Sequence, residues 1–155
     1  MTTGWIDGAI VLLMLAGVSD LCWRQIPDLL PAALAALFGI AVSTAPSAAI
    51  VLSSVATAAA IAAAGLILFV LNVWGGGDAK LMTAAALWAG ADRIGELLFV
   101  TAIAGGMIGL VTASRQGWRM FRFAPGRWPG GDGRPTVPYG LAIAAAAVAV
   151  ISDPG

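Results

Sequence analysis

The sequence predicts an all-α polytopic membrane protein with about six transmembrane helices, and three observations carry that expectation. Of 155 residues, 60% are hydrophobic and only 10% charged. With a mean hydropathy of +0.94, this excludes an ordinary soluble globule and makes lipid the solvent of most of the chain. The apolar runs are also continuous and rich in Ala and Leu, without period-two alternation, so helices rather than a barrel must satisfy the backbone in the bilayer. Finally, polar or Gly/Pro punctuation divides the apolar sequence into segments at roughly 5–23, 29–45, 48–72, 79–91, 94–114 and 137–152, forming a single domain over 1–155.

The first segment, Trp5 to Trp23, has no basic residue before it and no small-residue cleavage site in a polar context. It reads as a retained span and not as a removable signal peptide. Asp20 lies before its end, followed by Leu21, Cys22 and Trp23, so the carboxylate is drawn a turn into the apolar zone. An aspartate at mid-helix costs about 2.5 to 3.5 kcal/mol, less near the interface, so a partner or a function is expected. Arg24, four residues on, is the simplest partner.

The second and third segments follow Ile26-Pro27-Asp28 and carry small residues, as in Ala58 to Ala64, that let helices approach closely. Next comes VWGGGDAKLM, Val73 to Met82, where three glycines, an aspartate and a lysine interrupt two apolar runs. From Asp78 the fourth segment reaches only to about Ala91, roughly 21 Å of helix against a hydrocarbon core of roughly 30 Å. Either the bilayer thins or the glycine stretch dips below the surface, which irregular backbone tolerates only beside protein or a wet cavity. Gly75, Gly76 and Gly77 would then admit backbone to a cleft and take dihedrals closed to other residues. A second reading of Asp78 stays open, that of a helix N-cap accepting backbone N–H groups. Lys80, two residues on, is too near to face Asp78 squarely and suits the membrane interface or an anionic group on a substrate.

Asp7, Asp92, Glu96 and Asp153 lie at or near the outer ends of spans, as ordinary boundary charges. Between the fifth and sixth segments, Arg115, Arg119 and Arg122 with Trp118, Phe121 and Phe123 suit an interfacial helix on anionic lipid rather than a nucleic-acid site. The tail of that loop, which holds Asp132, reads as flexible. Pro138 pre-sets the first turn of the sixth segment and Tyr139 suits an aromatic belt, with Gly140 after them. Seven of the eight basic residues share one side; only Arg93 falls on the other. By the positive-inside rule that side is cytoplasmic, and both termini lie outside.

With one cysteine and no histidine, metal, Ser/His and Cys/His chemistries are implausible, and neither metal nor cofactor is expected. Chemistry must rest on carboxylates. Were Asp20 and Asp78 to share a wet cleft, the pair would hold one proton between them and titrate as a unit. The ionised member could take a proton from water while the protonated one polarises a peptide carbonyl.

These residues resemble the type IV prepilin peptidases, membrane aspartic proteases with a GxGD motif, and especially the short form associated with tight-adherence (Flp-type) pili. The matching pieces are SDLCWRQIPD at 19–28, GGGDAKLM at 75–82 and VPYGLAIA at 137–144. The resemblance implies a six-helix fold in the bacterial inner membrane that cleaves the basic leader of a prepilin, ahead of its hydrophobic helix, at the cytoplasmic face. It places the two catalytic aspartates at Asp20 and Asp78. Asp28 stands where the family usually has asparagine, leaving the backbone role of Ile26-Pro27 intact. Longer members methylate the new N-terminus and carry an N-terminal cytoplasmic insert with paired CxxC motifs; neither insert nor motifs are found here, so peptidase without methyltransferase activity is expected. Two other readings are a small proton-coupled transporter, since intramembrane carboxylates also serve as relays, and a non-catalytic pilus assembly scaffold.

Overall fold

The computed structural model describes residues 3–23, 25–44, 47–71, 74–113 and 139–152. Among them the chain is all-helical, with no strand: α1 (Thr3–Trp23), α2 (Leu29–Ser43), α3 (Ala48–Val70), α4 (Gly76–Ala113) and α5 (Tyr139–Ser152). Helices α1, α3 and α4 are long and apolar enough to cross a membrane, while α2 and α5 are apolar but shorter. Three of the described helices meet that length, so the expected count of about six spans is not confirmed. Arg24, Pro138, the 115–136 loop with its arginines and Asp132, and Asp153 lie outside the described residues, and so do the expectations attached to them.

The expected fourth and fifth spans are the two halves of α4, divided at Gly90 and not at the charged positions 92–93. Gly90 has φ 62° and ψ −174°, a conformation essentially open to glycine alone. The nearby charges stay helical, and Arg93 reaches Glu96 at 3.1 Å along the same face. A straight helix would hold Gly77 and Gly105 about 42 Å apart. Instead a chain of close contacts joins them. A Cβ on Gly77 would lie 3.2 Å from Ile26, one on Gly140 would lie 2.6 Å from the same Ile26, and one on Gly105 would lie 3.1 Å from the ring of Tyr139. Both positions thus stand near the start of α5, and α4 folds back on itself at Gly90.

Helix α5 forms the centre, with Ala142, Ile143, Ala144, Ala146, Ala147 and Val150 all buried. It packs against α1 and α4; α2 lies on both of these, and α3 packs on α4. Small residues set the spacing, since Gly17 of α1 approaches Ala144 and Gly65 of α3 approaches Ala79, each with room for no more than 3.1 Å to an added Cβ. The indole N–H of Trp88 donates to the Leu34 carbonyl at 3.1 Å and its ring meets Phe38 edge-on, locking α4 to α2. On α1, Ala9, Leu13, Ala16 and Asp20 are buried at three- and four-residue spacing, whereas Val11, Met14, Leu15 and Val18 face outward. The apolar exterior is what a bilayer requires; the buried stripe ends on a carboxylate.

Candidate active site

Asp20 is only 6% exposed, because it occupies the last position of that inward stripe. Its Oδ2 accepts the backbone N–H of Leu141 at 3.1 Å. The first turn of any helix carries N–H groups without intrahelical partners, so Asp20 serves α5 as a cap supplied from another helix. Beside it, the buried Ser19 hydroxyl donates to the Gln25 carbonyl at 2.8 Å and turns the following segment back over the end of α1. Ile26 then wedges between the starts of α4 and α5, against Gly77 and Gly140.

Asp78 reaches the same place from α4. That helix begins at Gly76, and the Ala79 N–H donates to the Gly75 carbonyl at 3.1 Å, which makes Gly75 the N-cap and Asp78 the third helical residue. The Asp78 carboxylate accepts the backbone N–H of Gly75, the acidic half of a capping box. The N-cap reading of Asp78 is thereby corrected by three positions. The conformational reading of the glycines is corrected too: among the described residues only Gly90 has a positive φ. Gly76 and Gly77 are ordinary first-turn residues whose missing side chains make room for Phe69 and Ile26, while a side chain on Gly75 would crowd Asp78 itself.

Asp20, Gln25, Ile26, Pro27, Asp28, Gly75, Gly76, Gly77 and Asp78 line one cleft of about 520 Å³. Every expected site residue except Lys80 thus meets the others there, Asp20 from the buried side of the last turn of α1 and Asp78 from the half-buried first turn of α4. Lys80 flanks the cleft, its Nζ 2.7 Å from Asp28 Oδ2. That pairing, the Ser19–Gln25 bond and the Leu141 contact were not anticipated from sequence. A signal existed for each: Asp28 stands where the resemblance implies asparagine, Ser19 adjoins Asp20, and Gly140-Leu141 lies within the VPYGLAIA stretch. Among the described residues, no group of three His, Cys, Asp or Glu side chains is placed to hold a metal ion.

The fold and cleft define a helical membrane protein whose polar pocket is assembled at the ends of its helices and walled by carboxylates and glycine backbone. Residues 8–110 match the type IV leader peptidase family, and the chain belongs to that family of peptidases. The match covers α1 through most of α4, with both aspartates, and leaves out α5. No curated protein and no solved structure gives a significant match.

Proposed function

We propose that this peptidase is an aspartic endopeptidase of the bacterial inner membrane that removes the leader of a type IV, Flp-like prepilin at the cytoplasmic face, without methylating the new N-terminus. One observation carries the reading: Asp20 and Asp78, 58 positions apart in the chain, line a single cleft beside exposed glycine backbone. The substrates would be a basic leader and the apolar helix that follows it, drawn from the same bilayer.

In this reading one carboxylate is ionised and the other protonated. The ionised member takes a proton from water as the water oxygen attacks the scissile carbonyl, while the protonated member gives its proton to the carbonyl oxygen. The tetrahedral diol then collapses: the C–N bond breaks, the proton held by the first carboxylate passes to the leaving amine, and the second recovers its own. Gly75, the exposed glycine of the three, lines the cleft just before α4, so an extended peptide can lie against main chain there. Two other readings, a proton-coupled transporter and an inactive scaffold, leave unexplained why a peptidase family's paired carboxylates and open glycine wall would share one pocket.

The reading is tested by co-expressing the protein with its cognate prepilin and following the size of the pilin. Mature pilin should accumulate with the wild type and precursor with Asp20→Asn or Asp78→Asn. Substrate-driven proton uptake in proteoliposomes, with no cleavage, would instead favour the transporter.

A further inference from the structure

The start of α5 is not explained by the chemistry above, although it touches the dyad. A Cβ built on Gly140 would lie 2.9 Å from both Cγ and Oδ2 of Asp20, and 2.6 Å from Ile26 Cδ1. No real side chain tolerates such distances, and the obstacle on the Asp20 side is the reactive group itself. Immediately after it, the Leu141 N–H donates to the same Oδ2. Backbone and carboxylate can meet at hydrogen-bond distance here only because position 140 carries no side chain.

We propose that Gly140 is a positioning residue for Asp20: it lets the first turn of α5 close onto the carboxylate, so that Leu141 N–H fixes Oδ2 and sets the direction in which Asp20 addresses the cleft. This rests on the reading of Asp20 as half of a catalytic pair. Asp20 lies in the last turn of α1, which ends at Trp23, and the Ser19–Gln25 bond holds the returning chain beside it. Its side chain is oriented across the helix interface, by an amide that the rigid, buried α5 holds in place. Displacing a catalytic group by about 1 Å is enough to cost on the order of 10²-fold in rate. Gly105 of α4 offers a comparison, since a Cβ there would press on the ring of Tyr139, in the same first turn of α5, at 3.1 Å without approaching Asp20.

The test uses the full-length protein in detergent with a prepilin peptide. Gly140→Ala should lower kcat on the order of 10²-fold with KM within about twofold, because the carboxylate acts in the transition state and not in binding. Gly105→Ala should keep kcat within about threefold. Adding Ile26→Val to Gly140→Ala removes the Cδ1 clash and leaves the Asp20 clash. The double variant should stay about as far below the Ile26→Val single variant as Gly140→Ala is below wild type. Recovery in the double variant, or an equal loss in Gly105→Ala, would show packing alone and overturn the proposal. A second readout needs no activity: exchange of the Leu141 amide proton should be slow in wild type and in Asp20→Asn, which keeps an acceptor, and fast in Gly140→Ala. Equal exchange in all three would overturn the positioning role even for an active enzyme. A wild type that exchanges as expected but cuts no prepilin would instead refute the proposed peptidase substrate and leave the α5 contact standing.

Discussion

Asp28 and Lys80 meet at 2.7 Å, one at the N-cap of α2 and the other one turn into α4, 52 positions apart in the chain. Asp28 makes no capping bond to its own helix, because its carboxylate is turned to the lysine. Both side chains are well exposed, at 74% and 56%, so the pair is screened by water and salt. A double-mutant cycle of Asp28→Asn and Lys80→Ala should give a coupling of about 0.2 to 1 kcal/mol, shrinking at high salt. Thermal unfolding of the four proteins in detergent measures it; a coupling above about 2 kcal/mol would mean the pair is desolvated.

Gly90 and Gly95 make opposite predictions from neighbouring turns of α4. Gly90 combines its positive φ with a neighbour, Ser54 Oγ, 3.2 Å from where a Cβ would sit, and there Gly90→Ala should cost about 1 to 3 kcal/mol. Nothing lies within 4 Å of a Cβ on Gly95, which is helical, so Gly95→Ala should be neutral or stabilise by up to about 1 kcal/mol. Unfolding midpoints of the two variants compared with wild type decide the point.

Asp20 has a structural duty as well as a proposed chemical one, and two substitutions separate them. Asp20→Asn keeps an oxygen for the Leu141 N–H and should unfold near the wild-type midpoint. Asp20→Ala leaves that amide unsatisfied in a buried place and should lose about 1 to 3 kcal/mol. Both should be inactive. Matching stabilities would mean that Asp20 does not cap α5.

The helical class, the helix positions, the two aspartates and the glycine stretch were legible from local signals: apolar runs, Gly/Pro punctuation and two acids drawn into apolar context; Ile26, Pro27 and Asp28 were reached only through the family resemblance, and Gln25 was not reached. What escaped was long-range or conformational. The partner of Lys80 lies 52 positions away, and that of Asp20 lies 121 away, on a helix that composition treats as generic packing. The fold-back was expected at Asp92-Arg93 because charges mark span ends. It falls at Gly90 because only glycine reaches that backbone conformation, and the charges pair within the helix instead. The triple glycine was expected to serve both close approach and dihedral freedom; Gly76 and Gly77 serve close approach, by Phe69 and Ile26, from helical backbone.

The central claim is that Asp20 and Asp78 act as one unit, and cleavage of a prepilin by purified protein in nanodiscs, followed by mass spectrometry, tests it most directly. Wild type should release the leader at a single bond. Asp20→Asn and Asp78→Asn should each lose at least about 10⁴-fold in rate while keeping the wild-type fold, and the double variant should be little worse than either alone, as befits groups that act together. Wild-type cleavage by either single variant would contradict the account.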